Sequence, residues 1–214
     1  MRDDGAVVFF DFDGTLTCRD TLMPFIKYVV GPVFYFLGLL LLSPFFMAFY
    51  VRLIKNDSLK AVVLAVFFFG RRAEHLKRMG EKYSRDLLPA MLRKEGLEYL
   101  KRHQKEGRKC VILSASLDVY VRPWALHHGC FDAITSSFKV NSSGLVSGRL
   151  DGKNCRGEEK VARVVRWMNG KHLVPLFAYG DDVSDLPILR FVPGGYMWDE
   201  RTCSFVSVNP EAKG

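Results

Sequence analysis

Between Lys27 and Arg52 the chain carries no charged side chain for 24 residues, a stretch that includes Phe34-Tyr35-Phe36-Leu37 and Leu39-Leu40-Leu41-Leu42. A helix of that length reaches across a bilayer at about 1.5 Å per residue. Its position in the chain decides otherwise. One strand-like apolar run, residues 6–12, precedes it, and two more, residues 109–113 and 174–179, follow it. If these runs pair in one sheet, they lie on one side of any membrane, and the chain must cross an even number of times. The next apolar stretch, Ala61 to Phe69, is nine residues long and too short to cross. A simple transmembrane span is therefore excluded. Gly31-Pro32 and Ser43-Pro44 are also expected to interrupt the helix, because the residue before a proline is pushed away from helical backbone. What remains is a broken hairpin dipping into one leaflet, or an interfacial segment flanked by Arg52, Lys55, Lys60, Arg71 and Arg72. A helical pair burying its own face, or a homodimer interface, is the alternative. Membrane contact is the preferred expectation, because so long an uncharged stretch exceeds what a small cap hides.

The three strand-like runs share a pattern. Ala6-Val7-Val8-Phe9-Phe10-Asp11-Phe12, Lys109 to Leu113 and Val174 to Tyr179 are apolar on both faces and lead into acidic or small residues. Strands buried on both sides in a parallel sheet read this way. Glu95 to Lys105 and Gly157 to Met168 place apolar residues at helical spacing. The expected fold is α/β, a Rossmann-like open parallel sheet, in which ligands bind at the carboxyl ends of the strands. Residues 1–20 and 100–214 would form the catalytic core, and residues 21–99 a helical, hydrophobic cap inserted after the first strand.

With 214 residues, 49% apolar and 25% charged, the chain has the size and balance of one globular unit rather than a disordered tail or a repeat. Five cysteines at 18, 110, 130, 155 and 203 are odd in number and form no C-x-x-C pair. The first four residues include two acids and run straight into the first strand, so no secretory leader is expected, and a reducing, cytosol-facing site is the simplest reading. Residues 52–109 hold 16 Lys and Arg against 7 Asp and Glu, so the net charge of +8 resides entirely in that segment. Such a patch attracts phosphate-bearing partners or forms a solvated helical face.

Chemistry concentrates at the strand ends. Asp11-Phe12-Asp13-Gly14-Thr15 follows the first strand, and two acids two apart on extended backbone face the same way. Paired acids at the end of a hydrophobic strand call for a cation, and Mg²⁺, which takes oxygen ligands and keeps waters for phosphate, is the natural one. Ser114 and Ala115 after the second run offer a hydroxyl and backbone amides to phosphate oxygens. Gly180-Asp181-Asp182-Val183-Ser184-Asp185 is a second acidic cluster, and Lys160 offers an ammonium from the start of a helix. Lys153 reads as a solvated lysine in a Gly-rich turn, Asp182 as a neighbour rather than a ligand, and His127 and His128 as surface or packing residues. Cys18 and Arg19 are expected to line the cap hinge.

In order and spacing, Asp11 to Thr15, Ser114, Lys160 and Gly180 to Asp185 resemble the four motifs of the haloacid dehalogenase-like phosphatases. The resemblance implies that Asp11 is the nucleophile of an aspartyl-phosphate and that Asp13 is the acid and base. It also implies that Gly14, Thr15, Ser114, Ala115 and Lys160 bind the phosphoryl group. Asp11, Asp181, the backbone carbonyl of Asp13 and, at one remove, Asp185 would hold Mg²⁺. The insertion after the first motif resembles the phosphoserine phosphatase branch (subfamily IB). Residues 18–27 lack the glutamate usual there, and Asp20 is the available substitute. The apolar cap, the basic stretch and Cys155-Arg156-Gly157-Glu158-Glu159-Lys160-Val161 resemble the phosphatidylglycerophosphatase C type. That resemblance implies removal of the terminal phosphate of an anionic phospholipid, phosphatidylglycerol phosphate, at the cytoplasmic face of a bacterial inner membrane. A soluble phosphatase of small metabolites is the alternative. No nucleic-acid partner is expected, since no aromatic-basic platform accompanies the charge.

Overall fold

A computed structural model describes residues 5–208; the acids of the first four residues and the last six residues lie outside the described residues. The order of elements is β1 (Ala6–Phe10), α1 (Leu22–Tyr50), α2 (Asn56–Phe68), α3 (Ala73–Asp86), α4 (Lys94–Lys105), β2 (Lys109–Leu117), α5 (Asp118–His127), β3 (Asp132–Ser136), β4 (Phe138–Val140), β5 (Val146–Leu150), α6 (Glu158–Met168), β6 (Val174–Gly180), α7 (Leu186–Phe191), β7 (Gly194–Asp199) and β8 (Ser204–Ser207). Six strands form one sheet in the order β3-β2-β1-β6-β7-β8, parallel except for β8. β1 is central and wholly buried, which is why its sequence shows no alternation. β2 lies on one side of it and β6 on the other, so the strand order reverses there and a crevice opens beyond the carboxyl ends of the three.

The structure departs from the sequence reading in several elements. β2 runs on through Ser114 to Leu117, with its register to β3 breaking between Leu113 and Leu117. β3 and the β4–β5 hairpin have mixed sequences and gave no strand signal. The stretch after Pro193 contributes two strands, β7 and β8.

α1 is bent once, at Gly31 (φ 78°, ψ 164°), a backbone that favours glycine. Leu22 and Met23 near one end of α1 and Phe46 near the other line the same cleft of about 700 Å³. A straight helix would separate Met23 from Phe46 by about 34 Å, so α1 folds back on itself at Gly31. The expected interruption at Ser43-Pro44 does not occur. Pro44 cannot donate to Leu40, but the Ser43 hydroxyl donates to the Leu40 carbonyl at 2.8 Å and takes up the acceptor, so the helix continues. After the bend α1 packs on α2, where Gly38 sits against the Phe67 ring and Tyr35 stacks on it with centroids 6.1 Å apart. The remaining faces carry Val33, Phe34, Phe36, Leu37, Leu40 and Leu41, each more than half exposed. By length and composition α1 meets the requirement for a bilayer crossing; the bend divides it into two shorter arms.

The helices between β1 and β2 share one apolar cluster with the sheet, through Phe25, Phe68, Tyr83, Tyr120 and Phe138. The two connections to that insertion run side by side. Cys18 donates its amide to Met91 at 2.8 Å and Arg93 donates to Leu16 at 2.8 Å.

Candidate active site

The crevice gathers groups from the segments after β1 and β6, from β2 and from the start of α6. Asp11 follows β1, its amide donating to Tyr179 of β6 at 2.9 Å, so the two strand ends are locked in register. Lys160 enters from the first turn of α6, only 3% exposed, and its ammonium donates to Asp11 Oδ1 at 2.5 Å and Asp185 Oδ1 at 2.6 Å. The other Asp185 oxygen accepts from the amides of Asp181 and Asp182, both at 3.2 Å. Burial alone would lower the Lys160 pKa, but Asp11 and Asp185 hold it above its ordinary value and the ammonium stays charged. Asp11 is pushed well up by burial and by Asp185 and Asp181, against the pull of Lys160. Burial and Asp185 push Asp181 up to about 6.

Asp11, Asp181 and Asp185 bring carboxylate oxygens within 4.8 Å of one another. Three buried or half-buried carboxylates face a single lysine, so the cluster holds more negative charge than the protein offsets. That surplus, on an all-oxygen donor set, fits a hard divalent cation. Gly14 shapes the site by absence: at φ +79°, a Cβ there would lie 1.9 Å from Asp181 Oδ2. Thr15, fully buried, donates its hydroxyl to Asp181 Oδ1 at 3.1 Å and so orients that carboxylate.

Asp13 is turned away from the triad. Its Oδ1 accepts from the Thr21 amide at 2.9 Å and the Thr21 hydroxyl at 2.6 Å, while Oδ2 accepts from the Ser116 hydroxyl. Tyr120 backs the Thr21 hydroxyl at 3.1 Å. Burial and then Asp20 push Asp13 up to about 7. Ser114 is buried within β2, three residues before its end, and accepts the Ser116 amide at 3.0 Å, leaving its hydroxyl hydrogen available to the cleft. The Ala115 carbonyl accepts from Lys60 of α2 at 2.5 Å.

Lys60 is the residue the sequence reading named only as a flanking charge. It also donates to Asn154 at 2.8 Å, and Asn154 in turn donates to Asp57 at 2.8 Å. Burial lowers its pKa to about 8, against the pull of Asp13, Asp20 and Asp57. Thr21 and Asn154 were missed as well, each a common turn or cap residue; Ser116 stands two residues after Ser114 in the same run, but its bond to Asp13 is visible only in the fold. The cleft that these groups enclose has an apolar wall of Leu22, Met23, Phe46, Leu59 and Val63.

The side chains of the rival residues take no part in the acidic cluster. Lys153 is exposed, and Asp182 caps the short turn that follows it, accepting from Ser184 at 2.7 Å and Arg156 at 3.2 Å. His128 stacks on Trp124 with centroids 4.1 Å apart, and His127 is exposed. Cys18 and Arg19 line the cleft beside the paired connections. All five cysteines are free.

Comparison with known proteins places the fold. Protein CicA of Caulobacter vibrioides is 33% identical over 189 residues, covering 88% of this chain and 84% of that protein. A protein of unknown function from Bordetella pertussis Tohama I superposes with a TM-score of 0.72 at 19% identity, over 90% of this chain and 88% of that one. A phosphoserine phosphatase solved as a phospho-aspartyl intermediate analogue superposes with a TM-score of 0.60 at 13% identity, over 89% and 84%. The profile of the haloacid dehalogenase-like hydrolases matches residues 8–190, and the chain belongs to that family.

Proposed function

We propose that this protein is a Mg²⁺-dependent phosphomonoester hydrolase that works through an aspartyl-phosphate and acts on phosphatidylglycerol phosphate at a membrane surface. The observation that carries the chemistry is the buried Lys160–Asp11 ion pair at 2.5 Å beside Asp181 and Asp185. Lys160 holds Asp11 in place and offsets charge on an incoming phosphoryl group. A carboxylate oxygen of Asp11 attacks phosphorus as the bond to the leaving oxygen breaks, and Asp13 delivers a proton to that oxygen. Asp13, now a carboxylate steadied by Thr21 and Ser116, takes a proton from the water that attacks the acyl phosphate, releasing phosphate and restoring Asp11. The Ser114 hydroxyl and the amides around Ala115 hold phosphoryl oxygens. Asp11, Asp181 and the Asp13 carbonyl would hold Mg²⁺, with Asp185 fixing the loop behind them. Bound there, the ion supplies the positive charge that lets an anionic nucleophile meet an anionic ester.

The lipid assignment rests on the apolar side of the molecule. The cleft wall that includes Phe46 belongs to the same helix whose other faces expose Phe34, Phe36, Leu37, Leu40 and Leu41. An apolar patch of that kind suits a bilayer, with exposed Arg52, Lys55 and Arg72 close by in the chain to meet anionic headgroups. Asp20 accepts the amides of Leu22 and Met23 at the start of α1, so one of its oxygens is occupied as a helix cap. That arrangement favours the lipid over an amino-acid substrate.

The test is Mg²⁺-dependent phosphate release from phosphatidylglycerol phosphate in mixed micelles, beside phosphoserine at equal concentration. Strong preference for the lipid supports the proposal. Preference for phosphoserine, or a monodisperse dimer in detergent-free buffer, assigns the apolar face to a second copy of the chain and the enzyme to soluble substrates.

A further inference from the structure

We propose that Arg93 binds a second anionic group on the substrate, and that Glu200 fills this place when that group is absent. Arg93 follows the paired connections at Leu92, and both it and Glu200 line the cleft that contains Asp11 and Lys160. The residue is only 7% exposed, and its guanidinium carbon lies 4.0 Å over the ring of Trp198. Its Nε is buried without a hydrogen-bond partner. Its carboxylate partner among the described residues is Glu200, at 3.2 Å, whose side chain is 75% exposed on the turn between β7 and β8.

A guanidinium so deeply buried needs strong compensation, and a carboxylate largely in water gives little. The stack on Trp198 fixes the plane of the fork, so an anion binding it restricts little further side-chain motion. A phosphate or phosphodiester oxygen pair matches that fork better than a single carboxylate oxygen does. Glu200, on an exposed turn, can leave without disturbing the sheet. The substrate class is therefore a phosphomonoester that carries a second phosphate or phosphodiester group within the same cleft. This inference rests on the reading of the cleft as a phosphomonoester site.

The experiment measures inhibition of p-nitrophenyl phosphate hydrolysis by propyl phosphate and by propane-1,3-diyl bisphosphate, with Mg²⁺ present. In the unaltered protein the bisphosphate should inhibit about tenfold more tightly, the worth of one charge-assisted contact. Arg93→Gln should bring the two inhibition constants together. Glu200→Gln, an exposed change that leaves the fold alone, should widen the gap, which a purely structural Arg93–Glu200 pair would not do. No advantage for the bisphosphate, an advantage that survives Arg93→Gln, or a gap narrowed by Glu200→Gln overturns the proposal. If p-nitrophenyl phosphate is not turned over, the phosphomonoester reading fails separately. Calorimetric titration of the same two anions onto the three proteins then tests Arg93 by the same comparison, with binding constants in place of inhibition constants.

Discussion

Asp11 sits where burial and two neighbouring carboxylates disfavour its charge, and Lys160 opposes them. Replacing it with asparagine removes the nucleophile while relieving repulsion, so Asp11→Asn should lose at least about a thousandfold in phosphate release without a lower melting temperature in chelator. Turnover retained by the variant would refute the assignment of Asp11. His103 offers a second expectation, far from the acids. It is 3% exposed, its Nε2 lies 2.8 Å from the Tyr179 hydroxyl, and its Nδ1 lies 2.8 Å from an Arg108 nitrogen. Arg108 can only donate, so Nδ1 accepts and the ring is neutral. Burial and then Arg108 lower its pKa to about 4. Between an unfolded value of about 6.5 and that folded value, the unfolded chain binds the extra proton, so stability falls as pH drops through this window, by up to about 3 kcal/mol. Urea midpoints at pH 7 and 4.5 should differ less in His103→Gln than in the unaltered protein; an equal difference removes His103 as a cause.

At the scale of elements, legibility followed burial. β1, β2 and β6 were readable because both faces of each run are apolar in sequence, and α4 and α6 because each buries one stripe. β3, with the sequence Asp-Ala-Ile-Thr-Ser, and β4 and β5 each mix polar and apolar residues, and their strand character comes from the partner they meet. Ser43-Pro44 misled because a hydroxyl one residue upstream repairs the acceptor that proline orphans. In the site, the acids and Lys160 stood out because charged groups beside apolar runs are conspicuous. Lys60 did not, since its partners Ala115 and Asn154 lie 55 and 94 residues away. The exposed face of α1 carries this scale's prediction. Leu40 and Leu41 are 71% and 65% exposed, so changing both to serine should leave the melting temperature nearly unchanged. On anionic vesicles the same change removes two side chains each worth about 2 kcal/mol when buried, and should weaken binding at least tenfold in a sedimentation assay. Unchanged vesicle binding would mean that the exposed face of α1 does not carry the contact.

Over the whole molecule, the insertion and the sheet are joined at more than the paired connections. Gly80 of α3 packs so closely on α5 that a Cβ there would lie 2.1 Å from the Val119 carbonyl. The loop after α2 pairs with the β4–β5 hairpin, Gly70 donating to Val146 at 2.9 Å, Val146 to Arg71 at 2.8 Å and Ala73 to Gly144 at 2.9 Å. Lys60 adds a polar tie across the cleft to Ala115 and Asn154. An insertion held by a backbone ladder, a close helix crossing and a shared aromatic cluster has no independent core to unfold around. We therefore propose that residues 21–99 and the rest of the chain unfold together. All three tryptophans, Trp124, Trp167 and Trp198, lie after residue 99, whereas α1, α2 and α3 contribute much of the helix. Tryptophan fluorescence and far-ultraviolet circular dichroism should then give one coincident urea transition, and Gly80→Val, which drives a branched side chain into Val119, should move both curves equally to lower urea. A dichroism loss that precedes the fluorescence change would mean that the insertion melts alone, and that the walls of the cleft can part while the acids beneath stay folded.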